Sequence, residues 1–200
     1  MLDADLGFPH SYEIEEVPEL PGTGISDVPL FYFPNPKARQ GHDGLWLCVR
    51  AASGKSWVGV FAFGYGSPPA ISRVTSTSDP DVICVISRGA AYIVKADEPD
   101  SWKEIPVRPV LDVRLVLEHQ LLIFAEFTRL TAYGRDGLVW RSPRLCWDHL
   151  RILGVTLDEI KGVGYDPTNA CDSYFLVDIR TGNPSFNSAK FMDINGKSLW

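Results

Sequence analysis

Clustered positive charge is absent from this sequence. Its 19 lysine and arginine residues are outnumbered by 25 acidic residues, which gives a formal net charge of −6. Because non-specific nucleic-acid binding depends on clustered positive charge, the composition disfavours DNA or RNA as a partner. The acidic excess lies in the N-terminal segment, where no lysine or arginine precedes Lys37. Such a segment is typically a solvated surface, and docking of a basic partner is the alternative.

Long apolar stretches are also missing. No window approaches the ~18 consecutive apolar residues of a membrane-spanning helix. The N-terminal residues show no basic region followed by an apolar stretch, which is the pattern of a secretory signal. We therefore expect a cytoplasmic protein without membrane contact. The composition, with 45% hydrophobic and 22% charged residues, is that of a soluble globular protein.

Cysteine and histidine do not occur at metal-ligand spacing. The four cysteines, Cys48, Cys84, Cys146 and Cys171, are far apart in the chain, so a disulfide or zinc set is the less favoured interpretation. Cys48 and Cys84 lie within apolar runs and are predicted to be small apolar residues of strands. The four histidines show no His-x-His or His-Glu-x-x-His spacing. The sequence thus predicts no metal site and no cofactor.

Helical periodicity is equally scarce, whereas strand signals fill the chain. No segment longer than about eight residues has a convincing helical period. Fifteen prolines are spread through the sequence, where they would interrupt helices. Six tryptophans, seven tyrosines and ten phenylalanines, together with many valines and isoleucines, favour strands. We therefore predict an all-β fold.

Four stretches share one local design, in which a strand-like segment enters a turn and leaves it toward an aromatic residue. The clearest covers residues 130–140, with the turn Gly-Arg-Asp-Gly at 134–137. The aromatic residues Trp57, Trp102, Trp140 and Phe186 follow one another at intervals of 45, 38 and 46 residues. A period of this length is typical of supersecondary units that bury their apolar faces on one another.

The strand pattern divides residues 30–200 into about four antiparallel units of about four strands each. The predicted strands are 29–33, 44–50 and 57–63; 71–75, 81–87, 90–96 and 102–107; 110–117, 120–127, 130–133 and 138–141; and 150–156, 159–165, 174–179 and 184–186. We expect a single repeat domain over 30–200 and a polar lead-in over 1–29 with one candidate closing strand at 12–17. The pattern fits a small β-propeller-like array, with a β-sandwich or a rolled antiparallel sheet as the alternative.

Three turn-plus-aromatic segments, at 130–140, 175–186 and 191–200, carry a family resemblance. They resemble the Tyr-x-x-Asp-x-x-Thr-Gly-x-x-x-Trp ending of blades in the quinoprotein-like (PQQ-like) propeller repeats. The resemblance implies that Trp140, Phe186 and Trp200 pack between neighbouring blades, and that the strand at 12–17 completes a blade begun by 191–200. Quinone-binding members have about eight blades, whereas this chain has material for about four or five, so no quinone cofactor is implied.

Three short motifs lack the context that their chemistry needs. Gly-Lys-Ser at 54–56 lacks the preceding glycine and the following helix of a phosphate loop, so a turn is predicted. Cys146 and His149 lie close in sequence without an oxyanion loop, and a loop with an aromatic anchor is the favoured interpretation. The stretch 166–172 lacks the acidic alternation of a calcium loop, so an Asx-rich turn is predicted. No catalytic residue is assigned.

In the propeller layout, loops between successive units and loops between second and third strands open on one face. Aromatic residues mixed with arginine and aspartate are typical of recognition surfaces, so we predict a binding surface there. Its predicted residues are Tyr65, Arg108, Arg144, Trp147, His149, Tyr165, Asp166 and Asp172. The favoured function is a non-enzymatic module that binds another protein. The alternative is an enzyme or carbohydrate-binding domain with its site in the central channel or on the loop face.

Overall fold

The computed structural model describes residues 2–17, 28–38, 41–64, 69–168 and 170–185. Among them the regular elements are β-strands, apart from one 3₁₀ turn at Leu117–His119. The predicted all-β fold is therefore confirmed. The predicted hairpin at 191–200, with Trp200, lies outside the described residues, as do Phe186 and Tyr65.

The chain divides into two compact units, Met1–Val110 and Leu111–Trp200, and each holds two sheets. The expectation of one repeat domain over 30–200 stays a prediction. The strands of the first unit are β1 (Ala4–Asp5), β2 (Tyr12–Glu16), β3 (Leu30–Phe33), β4 (Gly44–Ala51), β5 (Ser56–Ala62), β6 (Arg73–Ser76), β7 (Val82–Ser87), β8 (Ala90–Lys95) and β9 (Trp102–Ile105). Sheet 1 has the order β2-β4-β5-β3, and sheet 2 has the order β1-β6-β7-β8-β9.

The second unit consists of two sheets of consecutive antiparallel strands. Its strands are β10 (Asp112–Val116), β11 (Leu121–Ala125), β12 (Leu130–Gly134), β13 (Gly137–Arg141), β14 (Asp148–Val155), β15 (Glu159–Asp166), β16 (Cys171–Asp178) and β17 (Pro184–Ser185). Sheet 3 has the order β10-β11-β12-β13, and sheet 4 has the order β14-β15-β16-β17. The prediction of four units with about four strands each is thus confirmed at the level of sheets.

Sheet 1 departs from the wholly antiparallel unit that the sequence predicts. Its centre is the β4–β5 hairpin, whose connecting turn contains Gly54 and Lys55, as predicted. Strand β3 pairs in parallel with β5, and β2 pairs antiparallel with β4 at the other edge. Strand β1 also pairs in parallel, with β6 of sheet 2. The predicted strand at 12–17 therefore exists as β2, and among the described residues its pairing partner is β4.

The core of the first unit lies between sheets 1 and 2. Because side chains alternate along a strand, Leu47 and Val49 of β4 point to the same side, and Tyr92 and Val94 of β8 point toward them. All four side chains are almost fully removed from water. This burial of apolar area is the main term that holds the two sheets together.

An aromatic group fills part of this core. The rings of Phe33 and Phe61 are stacked with centroids 4.6 Å apart, and Trp102 meets Phe33 edge-on at 5.8 Å. Offset and edge-on pairs are the favoured arrangements of aromatic rings. Phe33 lies on β3, so this strand is held at the sheet edge by its side chain as well as by its parallel pairing with β5.

The second unit repeats the core of the first at positions 83 residues later. Buried residues of β12 and β16 occupy the places that residues of β4 and β8 occupy in the first unit. The corresponding pairs are Leu47 with Leu130, Val49 with Ala132, Tyr92 with Phe175, Val94 with Val177, and Ala96 with Ile179. The two units therefore share one internal plan.

A buried tryptophan joins the two sheets of each unit. Trp57 of β5 donates from Nε1 to the backbone oxygen of Ala96 at 2.7 Å, and Trp140 of β13 donates to that of Ile179 at 2.9 Å. Both acceptors lie 39 residues after the tryptophan, immediately beyond the ends of β8 and β16. Trp102 belongs to the same sequence pattern but is held by aromatic contacts instead.

Replacing either inter-sheet tryptophan should destabilise the protein. Trp140→Phe leaves the buried oxygen of Ile179 without its donor, and Trp57→Phe does the same at Ala96. We expect each variant to lose about 2–3 kcal/mol of unfolding free energy, measured by urea denaturation. The matched control is Trp147→Phe at an exposed position, which should change stability by less than about 0.5 kcal/mol. Equal losses in all three variants would contradict the structural role.

The glycine beside Trp140 should tolerate substitution less well than a glycine in open space. Gly182 has φ +73°, and a Cβ there would lie 2.5 Å from Cε3 of Trp140, whereas Gly137 has φ +118° and open space around it. Gly137→Ala should cost about 1–2 kcal/mol for backbone strain alone. Gly182→Ala should cost a further ~1–3 kcal/mol for the overlap. Thermal unfolding of the two variants provides the comparison.

Candidate interaction surface

Six of the eight predicted surface residues lie at one end of sheet 4. Strand β14 begins, β15 ends and β16 begins at this end, so the antiparallel register brings their termini together. Asp148 is paired with Tyr165, and Tyr165 is paired with Asp172 across the strands. The six residues are Arg144, Trp147, His149, Tyr165, Asp166 and Asp172. Together with Asp148 and Arg151 they are called the Trp147 surface below.

The other two predicted residues belong to other parts of the chain. Arg108 follows β9 in the first unit, where its guanidinium is paired with the carboxylate of Glu104. Tyr65 lies outside the described residues. The Trp147 surface is therefore formed entirely by the second unit.

The loop at 142–147 that carries Trp147 is held by its backbone, although it has no regular secondary structure. Ser142 N donates to Leu130 O at 2.9 Å, and Leu145 N donates to Thr128 O at 2.9 Å. Trp147 N donates to Tyr165 O at 2.8 Å. These bonds join the loop to sheets 3 and 4, so its main chain is ordered before any partner binds. A surface that is already ordered loses less entropy on binding.

The side chain of Trp147 points into solvent. It is 59% exposed, and the guanidinium carbon of Arg144 lies 5.0 Å from the ring centroid. This separation is within the range of a cation–π contact, which restrains both side chains. A large aromatic side chain that is exposed on an ordered loop is unusual for a residue type that is mostly buried.

A backbone irregularity at the start of β14 sets the direction of His149. The pairing of β14 with β15 shifts register between Asp148 and Arg151, and His149 has φ 55°, in the left-handed region. Its backbone N–H donates to Asp148 Oδ1 at 2.7 Å. Its imidazole is exposed, with Nδ1 at 3.5 Å from Asp148 Oδ2. Bulges of this kind redirect side chains and recur beside functional sites.

Charges of both signs lie at the same end of sheet 4 as the tryptophan. Arg151 donates to Asp172 Oδ2 at 2.8 Å across strands β14 and β16. Both partners are largely exposed, so the pair adds at most about 1 kcal/mol to stability. Asp166 Oδ1 accepts from Thr168 N at 2.9 Å, which is the Asx turn that the sequence predicts. In the described ranges, no group of three or more His, Cys, Asp and Glu residues is placed to hold a metal ion.

Cys146 has the environment of a core residue. Its Sγ donates to Phe127 O at 3.5 Å, and it belongs to the buried cluster of the second unit. Burial, followed by the nearby Asp148 carboxylate, raises the pKa of Cys146 from 9.0 to about 11. A nucleophilic cysteine needs a thiolate near neutral pH, so these surroundings are the opposite of an activating site. Cys48 and Cys84 lie on strands β4 and β7, as predicted, and the four cysteines are free.

Sequence reasoning missed Asp148 and Arg151 as members of the surface. Both stand on β14, and Arg151 could be recognised as a charged residue within a strand. Its partner Asp172 is 21 residues away, on a strand that is not even the direct neighbour of β14. Only the register of β14, β15 and β16 brings these two side chains together. A local sequence pattern does not predict this register.

Within the described residues, no helix is long and apolar enough to cross a membrane. Comparison of the chain with protein-family models, with curated proteins and with solved structures gives no match.

The cysteines should differ sharply in reactivity. Cys171 is exposed at the edge of the Trp147 surface, whereas burial raises the pKa of Cys146 to about 11 and of Cys84 to about 12. Because the thiolate is the reactive form, iodoacetamide near neutral pH should modify Cys171 in the folded protein and leave Cys84 and Cys146 unmodified. Mass spectrometry of peptides, with and without urea, reads the result. Rapid native labelling of Cys146 would show that the loop at 142–147 opens.

The raised cysteine pKa values also give a pH dependence of stability. Both thiols hold their protons more tightly in the folded state than in the unfolded chain, so their stabilising contribution is complete below pH 9.0 and is lost as pH rises toward about 11 and about 12. We expect the unfolding free energy to fall in that alkaline window, measured by urea denaturation. Cys146→Ala, compared with its own value below the window, should show a smaller fall.

Proposed function

We propose that this chain is a non-enzymatic interaction module that binds another protein through the Trp147 surface. The observation that carries the proposal is the exposed indole of Trp147 on a loop whose backbone is anchored by hydrogen bonds. Tryptophan, tyrosine and arginine are the residue types that dominate binding energy in protein interfaces. Trp147, Tyr165 and Arg144 supply all three at one end of sheet 4.

The exposed area of Trp147 is large enough to matter for affinity. A tryptophan buries up to ~250 Å² in an interface, and somewhat more than half of that area is still accessible here. At about 25 cal/mol per Å², covering it contributes about 3 kcal/mol, which corresponds to roughly a hundredfold in affinity. Because hydrogen bonds already hold the backbone of the loop, ordering its main chain on binding offsets little of this free energy.

The surrounding charges support specificity more than affinity. Arg144 lies over the indole, while Asp148 and the Arg151–Asp172 pair lie at the same end of sheet 4, and the charged side chains remain in contact with water. Exposed pairs of this kind orient a partner and reject wrong ones, while adding little net binding energy. A partner with both charge signs around an apolar pocket would match this pattern.

The framework of the proposal is a small β-propeller-like array that resembles the quinoprotein-like repeats. Two features support it: the runs of four consecutive antiparallel strands in sheets 2 to 4, and the indole bonds that link one sheet to the next in each unit. A β-sandwich within each unit is the alternative, since each pair of sheets also shares one core.

Selection from a displayed library of random peptides provides the test. The wild-type chain serves as bait, and each enriched peptide is then measured against the wild type and against Trp147→Ala. We expect enriched peptides whose affinity, measured by calorimetry, falls roughly a hundredfold on Trp147→Ala. The matched control is Leu157→Ala, which removes a side chain of similar exposure, 60%, beyond the other end of β14.

Two outcomes would reject the proposal. One is the absence of any enriched peptide, and the other is enrichment of peptides that bind Trp147→Ala as tightly as the wild type. Circular dichroism and thermal unfolding of both variants should match the wild type, because neither side chain is buried.

A further inference from the structure

Strand β2 stands in sheet 1 where β11 stands in sheet 3. Ile14 of β2 lies opposite Val49 of β4, and Ile123 of β11 lies opposite Ala132 of β12. Val49 and Ala132 are equivalent core positions in the two units. In sheet 3, strand β10 then pairs with the far side of β11. In sheet 1, the described part of the chain places no strand on the far side of β2.

The burial of the two strands reflects this difference. Ile123 and Ala125 of β11 have no exposed area. Their counterparts on β2, Ile14 and Glu16, are only partly buried. An apolar side chain at a sheet edge that remains partly wet can gain further burial when a strand is added.

The outer edge of β2 presents backbone groups. Val17 N donates to Trp46 O at 3.1 Å, so β2 and β4 are hydrogen-bonded at this pair and at alternate residues from it. By this alternation, the backbone N–H and C=O groups of Glu13 and Glu15 are hydrogen-bonded to β4. The N–H and C=O groups of Tyr12 and Ile14 therefore point away from β4, in the direction that an added strand would take.

The solvent side of β2 is acidic. The side chains of Glu13 and Glu15 are 80% and 65% exposed, and both reach the same guanidinium, Arg50, at 3.7 and 3.2 Å. Two carboxylates that share one cation leave a net negative charge beside the edge. Two of the acidic residues of the N-terminal segment therefore lie beside this edge.

We propose that the outer edge of β2 binds an extended segment of another protein in which apolar and basic residues alternate. The segment adds antiparallel to β2, as β10 adds to β11, through the backbone groups of Tyr12 and Ile14. Its apolar side chains cover Ile14 on the core side, and its lysines or arginines stand beside Glu13 and Glu15 on the solvent side. Strand addition of this kind takes affinity from the backbone and specificity from alternate side chains. The site uses no residue of the Trp147 surface.

The probe is a fluorescein-labelled peptide that alternates valine and lysine, and binding to the full chain is read by fluorescence anisotropy. We expect saturable binding that weakens with added salt. The double variant Glu13→Gln/Glu15→Gln should bind about tenfold more weakly, because two cross-strand charge pairs are lost. A peptide of alternating valine and glutamate should not bind. Trp147→Ala should bind the probe like the wild type, so failure of this proposal and failure of the proposed function are distinguishable.

Recognition through the backbone is tested first with a change in the peptide and then with a change in β2. A lysine–valine peptide that is N-methylated at the alternate residues facing β2 should lose binding to the wild type. Ile14→Pro removes the outward N–H but no bond to β4, which is the position where an edge strand tolerates proline. It should abolish binding, while Ile14→Val should retain it. Equal affinity for the methylated peptide, or for the glutamate peptide, would overturn the proposal. A β2-dependent dimer of the chain that excludes the peptide would overturn it as well. So would binding that appears only after residues 191–200 are removed, because that segment would then occupy the edge in the full chain.

Discussion

An indole N–H that is buried between two sheets needs a hydrogen-bond acceptor, and this need organises each unit. Carbonyl groups within a sheet are already used by its ladder, so free acceptors occur mainly where strands end. Trp57 and Trp140 find theirs just beyond β8 and β16. The turn after β8 in sheet 2 must therefore lie over the ring carried by sheet 1, and the turn after β16 in sheet 4 over the ring carried by sheet 3. One side chain thus sets both the spacing and the relative register of the two sheets in each unit.

The same plan is filled by different residues in the two units. Where the first unit places Ala96 beside its tryptophan, the second places the larger Ile179, and Gly182 leaves room for the ring of Trp140. The first unit adds stacked and edge-on rings around Phe33, whereas the second has mainly aliphatic neighbours. Cores tolerate such exchanges when the filled volume and the polar pairing are kept. The indole bond is the element that both units retain.

The two surfaces proposed for binding lie outside these cores, on a loop and at a strand edge. Trp147 shows the contrast, since its indole is exposed while the backbone of its loop is bound to sheets 3 and 4. The bulge at the start of β14 turns His149 outward beside it. The second surface is the outer edge of β2, which presents backbone groups and the side chains of two glutamates. Rigid scaffolds that present loops and strand edges are a common basis for binding.

The sequence by itself determined the all-β class, the positions of most strands, the turn at Gly54, and the burial of Cys84 within a strand. These properties depend on alternation and turn residues, which act over a few neighbours. Six of the eight predicted surface residues lie at one end of sheet 4, because they occupy strand ends or the loop before β14, which local patterns locate. Only the tertiary structure decided that β2 and β3 flank β4 and β5, that Trp57 and Trp140 share a bond which Trp102 does not, and that Arg151 meets Asp172. Strand order, register and sheet pairing are chosen by which faces can be buried together, and that choice joins residues far apart in the chain.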